Sequence, residues 1–147
     1  MEESVTPLLF EHRVKEYNIL SLAYMGDAVL ENLTREYVLK TSGRTKPGAL
    51  VSESRKFITC EAQSDAAARI EPLLSPAEAD IFRRGRNAKT HFVPKHGEVI
   101  QYRRATGFEA LMGYLYLDGS LERAKQLFLA AYALEDTQHK DVENTDG

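Results

Sequence analysis

Leu22, Val29, Leu33 and Tyr37 recur at steps of seven and four residues, the spacing that collects side chains on one face of an α-helix, and the stripe lies within a segment from Asn18 to Lys40. Ser42-Gly43 supplies its stop. After TKPG, Leu50, Phe57, Ile58 and Cys60 outline a second helical region with these residues toward the core, which continues through EAQSDAAARIEPLL with a break expected near Gln63-Ser64. SPAE is the clearest helix start in the chain: Ser75 can cap, Pro76 suits the first helical position, and Glu78 can reach back to complete a capping box. Gly85 is expected to mark the end of that helix. RNAKTHFVPKHG, from Arg86 to Gly97, has turn formers and no apolar stripe, and reads as an exposed loop. Beyond it EVIQYRRATGFEALMGYLYL reads as a buried helix, with Phe108, Leu111, Met112 and Leu115 at i, i+3, i+4 and i+7, closed by Asp118-Gly119. Ser120 is placed to cap a last helix carrying Leu121, Ala124, Phe128 and Ala131. No stretch alternates strictly between apolar and polar. The expectation is an all-α chain with one domain over residues 1–134 and a polar, disordered tail over residues 135–147.

Composition narrows this picture without overturning it. With 147 residues, 43% hydrophobic and 28% charged, the chain matches an ordinary single folded domain. The longest apolar runs fall far short of the ~20 residues a membrane-spanning helix needs, and MEESVTPLLF lacks a secretion signal's basic start, so the cytoplasm is expected. Cys60 is the sole cysteine, which excludes an intrachain disulfide and a cysteine-based zinc cluster and reads as a small core residue. A net charge of −3 argues at first against nucleic acid. The charge is segregated, however. Arg83, Arg84, Arg86, Lys89, Lys95, Arg103 and Arg104 face only Glu98 in the segment 83–104, which therefore carries +6 and leaves −9 for the rest.

Two acids stand out in apolar company: Asp27 in LAYMGDAVLENL and Glu109 in ATGFEALMGYLYL. An ionised carboxylate in such surroundings is costly unless something compensates it. An arginine partner or a helix-capping role would do so for Asp27; so would a cation shared with Glu109, since two carboxylates from separate helices form a hard-oxygen site for Mg²⁺ or Mn²⁺. Gly26 adjoins the first acid, and Gly113 lies one turn beyond the second. His91 and His96 lack a third ligand nearby, and no serine sits in a recognisable nucleophile setting.

GDAVLE and FEALMGYLYLD resemble the two signature segments of ribonuclease III catalytic domains. LAYMGDAV, RRGRNAK and YRRATGFEALMGYLYL are similar, in order and separation, to the Mini-ribonuclease III branch, which lacks a separate double-stranded-RNA-binding domain. The resemblance covers about Tyr17 to Ala131. It implies the ribonuclease III catalytic fold, a helical homodimer with a catalytic valley across its two-fold axis, and a metal-dependent endoribonuclease that cuts double-stranded RNA to 5′-phosphate and 3′-hydroxyl ends. Asp27 and Glu109 then take the positions of the family's metal-binding catalytic acids, with Mg²⁺ as the ion and Mn²⁺ as a substitute. The full-length enzymes usually carry a glutamate and an aspartate where this chain has Ala23 and Thr106, so half of the carboxylate cluster is absent, and Glu61 is a further ligand by neighbourhood only. Arg83, Arg84, Arg86, Asn87, Lys89, Arg103 and Arg104 become RNA-binding candidates, against the plainer readings of a solvated face and of pairing with acids in the fold. The resemblance further implies maturation of precursor 23S ribosomal RNA, with a ribosomal protein as partner. A catalytically silent double-stranded-RNA-binding or ribosome-assembly factor with the same fold is the competing reading.

Overall fold

A computed structural model describes residues 13–43, 46–89 and 98–135. Six α-helices account for most of them: α1 (Ile19–Thr41), α2 (Pro47–Ile58), α3 (Cys60–Ile70), α4 (Pro76–Arg86), α5 (Glu98–Leu117) and α6 (Leu121–Ala131), with 3₁₀ turns at Val14–Glu16 and Glu71–Leu73. No strand occurs among the described residues, as the lack of alternation predicts. α5 is the centre of the bundle and packs against α1, α3, α4 and α6. That position explains why its apolar residues go all the way round: between Ala105 and Leu115 every residue but Glu109 is buried.

The helix ends follow local chemistry. Asn18 caps α1 by accepting from the Leu20 N–H at 2.8 Å. The capping box of SPAE forms, with the Glu78 N–H donating to Ser75 Oγ and the Ser75 N–H donating to Glu78 Oε1. α5 closes where Gly119 adopts a left-handed φ of +79°, so that the Ser120 N–H can return to the Leu115 carbonyl at 2.8 Å.

Four expectations need correction. The break between α2 and α3 falls at Thr59, not near Gln63-Ser64, because Thr59 ends one helix in an extended conformation and its hydroxyl caps the next by accepting from the Ala62 N–H. Cys60 and Ile58 are exposed and Leu50 is half-buried; of that group only Phe57 packs against the core, where it meets Tyr37, Phe128 and Tyr132. Gly85 does not stop α4 but lies within it, facing α5. Ser120 makes no side-chain cap, α6 being launched instead by the turn at Gly119. The expected loop from Arg86 to Gly97 is described only to Lys89, with Arg86 still helical, and nearly all of the expected tail, residues 136–147, lies outside the described residues.

Candidate active site

The site begins with two glycines. A β-carbon on Gly26 would collide with the carbonyl oxygen of Glu109 and lie 2.9 Å from the Gly113 nitrogen; one on Gly113 would collide with the Leu22 carbonyl oxygen. α1 and α5 therefore cross backbone against backbone, an approach open only to residues without a side chain. Because Gly26 presses on the peptide of Glu109 itself, Asp27, the next residue, is brought beside the Glu109 carboxyl. The two acids that stood apart in sequence share one site.

Their electrostatics record the closeness. Burial first, then the charge of Asp27, then a hydrogen bond between the two carboxyls push Glu109 up to about 8. At neutral pH and without a cation, Glu109 thus keeps its proton. Asp27 is exposed while Glu109 is largely buried, so the pair forms a wet rim over an apolar floor. The alternative of an arginine partner for Asp27 is not realised among the described residues: no ion pair or hydrogen bond joins Asp27 to a basic side chain there.

Neighbouring positions refine the donor set. Thr106, one turn before Glu109, is 8% exposed, and its hydroxyl donates to the Tyr102 carbonyl at 2.9 Å, so it is committed to its own helix. Ala23, also 8% exposed, offers a methyl group. Glu61 is exposed on α3. The α3 residue that senses the pair is Cys60, an exposed residue whose thiol is pushed up by partial desolvation and then by the charges of Glu109 and Glu98. Sequence reasoning also missed Tyr132. Its hydroxyl donates to the Phe57 carbonyl at 2.8 Å, its ring packs on Phe57, Phe108 and Phe128, and burial, followed by the charge of Glu109, raises it. Aromatic residues near a chain end carry no sequence signal for such a role. No three histidine, cysteine, aspartate or glutamate side chains among the described residues converge as a metal cluster. Two close carboxyls, one raised by burial and then by the other, nonetheless fit a hard divalent cation that keeps most of its waters.

A second glycine crossing positions the basic residues. A β-carbon on Gly85 would stand 2.9 Å from both Gly107 Cα and Ala110 Cβ, and one on Gly107 would stand 2.8 Å from the Phe82 carbonyl, so α4 meets α5 two residues before Glu109. Arg84 and Arg86 flank this crossing on α4, and Arg103 and Arg104 precede it on α5. The seven candidates are not equivalent. Arg83 pairs with Asp80, and Arg86 pairs with Glu71. Asn87 ends α4 with its N–H on the Arg83 carbonyl. Arg84, Lys89, Arg103 and Arg104 make no ion pair with any described residue, and all but Arg84 are exposed. Arg123, which lies outside the basic segment, spans the two oxygens of Glu78 at 2.9 Å each and donates to the Leu73 carbonyl, so it holds α6 to α4.

Comparison with known proteins agrees with this architecture. The Ribonuclease III domain family matches residues 20–120. The chain is 43% identical over 122 residues to Mini-ribonuclease 3 of Thermoanaerobacter sp., covering 83% of this chain and 85% of that one. It is 38% identical over 117 residues to Mini-ribonuclease 3 of Brevibacillus brevis, covering 80% and 87%. A crystal structure of a Fusobacterium nucleatum protein superposes with a TM-score of 0.68 at 30% identity, covering 78% of this chain and 91% of that one. With the signature segments of the sequence folded into an all-helical bundle and the relatives covered over most of their length, the chain belongs to the ribonuclease III family, in its Mini-ribonuclease 3 group, and is an endoribonuclease.

Proposed function

We propose that the protein cleaves double-stranded RNA with a divalent metal, Mg²⁺ or in its place Mn²⁺, held by Asp27 and Glu109. The observation that carries this reading is the contact of the two carboxyls at the Gly26–Gly113 crossing, next to a helix crossing flanked by arginines. The ribonuclease III family is generally metal-dependent. Asp27 and Glu109 would hold the ion, which when bound would supply an acidified water and offset charge at the scissile phosphate, in keeping with 5′-phosphate and 3′-hydroxyl ends. The protein's own part is to fix the acids on rigid helices, to give up the shared proton when a cation arrives, and to hold the RNA backbone.

RNA binding falls to the α4–α5 face, with Arg84, Lys89, Arg103 and Arg104 as the available cations, Arg83 and Arg86 in contact with acids, and Asn87 within the same patch. Each phosphate contact contributes to a salt-dependent affinity. Alanine at Arg84 and Lys89 together is expected to weaken duplex binding about tenfold at moderate salt and to reduce the slope of log affinity against log salt by about 1–2 units. An unchanged slope would remove these two residues from the interface. The substrate fitting a duplex cutter of this family is structured precursor RNA in the cytoplasm, here precursor 23S ribosomal RNA, with a ribosomal protein as an accessory partner.

A second copy of the chain fits the face beside Asp27. Leu20, Tyr24, Ala28, Glu31, Arg35 and Leu39 form one stripe along α1, and Tyr24 within it is 83% exposed. The stripe runs into a cleft of about 320 Å³ between α1 and α2, lined by Val38, Leu39, Leu50, Val51 and Ile58. α2 has no buried residue of its own, and Thr34, 1% exposed at that cleft, has a hydroxyl with no partner. Tyr24→Asp is expected to convert a dimer into monomers in light scattering and to cut duplex cleavage by at least about tenfold. A variant that remains dimeric would move the interface elsewhere.

Three substrates test the catalytic proposal: an RNA duplex, a single RNA strand and a DNA duplex, each with Mg²⁺ and with chelator. Metal-dependent cutting confined to the RNA duplex is expected. Binding to the duplex without cutting, in both Mg²⁺ and Mn²⁺, would instead select the silent RNA-binding factor.

A further inference from the structure

Arg86 is a cation held in place. Its guanidinium carbon lies 5.9 Å from the centre of the Phe82 ring, and its Nη1 donates to Oε1 of Glu71 at 3.4 Å. Phe82 is 2% exposed, and two atoms of its ring lie 3.1 Å from where a β-carbon on Gly107 would stand, so the ring that supports Arg86 is itself fixed against α5 two residues before Glu109. Glu71 comes from the 3₁₀ turn between α3 and α4, fifteen positions earlier, whereas Arg83 is met by Asp80 on its own helix three positions away. The Arg86–Glu71 contact is therefore made by the tertiary fold rather than by helical spacing.

We infer that Glu71 is an internal competitor for RNA phosphate at Arg86. In the free protein its carboxylate occupies one edge of a guanidinium that Phe82 keeps at the α4–α5 crossing; when RNA binds, a phosphate takes that edge and Glu71 returns to water. The inference rests on the proposal above that the duplex lies on this face. Carboxylate and phosphate make the same demand of a guanidinium, acceptor oxygens in its plane, so one can replace the other without moving the arginine. The existing pair suits exchange: it is a single long contact, with the Arg86 and Glu71 side chains 39% and 46% exposed. The aromatic contact survives the exchange and holds the arginine in its place. No covalent bond changes, and one ion pair replaces another. The fold thereby tempers the grip on substrate and product at a residue fixed at the α4–α5 crossing.

A double-mutant cycle on duplex affinity tests this. The full chain, Glu71→Gln, Arg86→Ala and the double variant are titrated by fluorescence anisotropy against a short RNA duplex in chelator, where no cutting obscures binding. Glu122→Gln, which removes an exposed acid of α6 paired with Lys125, serves as the control for a general loss of negative charge. Glu71→Gln is expected to tighten binding roughly threefold in the native background and to have no effect in the Arg86→Ala background. Failure of Glu71→Gln to tighten binding, or equal tightening when Arg86 is absent or when Glu122 is changed instead, overturns the inference. A native chain that binds the duplex no better than a single strand overturns the RNA reading beneath it, a result seen before any variant is compared. Circular dichroism of the five proteins checks that each retains its helices.

Discussion

Asp27→Asn and Glu109→Gln are each expected to lower cleavage of an RNA duplex by on the order of a thousandfold or more, with the helical spectrum retained. Either change keeps the shape of the side chain and leaves an amide that cannot become anionic when a cation binds, so the loss isolates the demand for two anionic oxygen groups. Undiminished turnover at saturating Mg²⁺ by either variant would remove the central claim. The pair also makes a specific pH signature. Glu109 titrates at about 8 in the fold, above its ordinary value of 4.5, so the folded chain binds its proton more tightly than the unfolded chain. In the absence of a divalent ion, this group contributes stability that is fully present below the ordinary value and is lost as pH rises from there through about 8. On the proposal that the pair holds the divalent ion, binding needs that proton to leave, and the apparent metal affinity is expected to rise over the same window. Thermal melts across pH in chelator should show the decline, and Glu109→Gln should flatten it. A native chain whose melting temperature is flat from pH 5 to 8 would contradict the coupling of the two carboxyls.

Gly113→Ala and Gly26→Ala are expected to be at least as damaging, by another route. Ordinary overpacking costs ~1–3 kcal/mol because side chains can shift. Here the obstacle is the main chain of the opposite helix, so α1 and α5 must part along their length, and a cost of about 4 kcal/mol or more is expected. That is a large share of the ~5–15 kcal/mol that keeps a domain folded. Even where folded protein is recovered at low temperature, Asp27 is carried away from Glu109, and a displacement of ~1 Å at such a site can cost about a hundredfold in rate. Denaturant unfolding of Gly113→Ala, compared with an alanine change at the exposed Gly48, separates crowding at the crossing from a general glycine effect. Equal stability of the two variants would mean that the crossing yields easily.

Sequence pattern was a good guide wherever local chemistry decides structure. The capping box of SPAE, the stop at Gly119 and the buried stripe of α5 each depend on residues within one or two turns, and each forms as read. Asp27 and Glu109 could be singled out because a carboxylate amid apolar residues needs a reason, but only the resemblance joined them; spacing alone left a salt bridge equally open. What escaped was what depends on a partner element. Gly85 looks like a helix stop until α5 is laid against it, and Cys60 looks apolar until the turn at Thr59 sets it at the edge of the acid pair. The basic run looked uniform, yet Asp80 and Glu71 already engage two of its arginines, and the Glu71 contact spans fifteen positions.

The Gly26–Gly113 crossing has a bearing on how this enzyme can change. In most sites the gap between catalytic groups is inherited from the side chains packed behind them, and it drifts when those are exchanged. Here the gauge is peptide touching peptide, which substitutions elsewhere in the core leave alone. Mutational drift in the bundle can therefore proceed widely without detuning the acids, while adjustment of the chemistry is channelled to the few positions around them, Ala23, Thr106 and Cys60 among them.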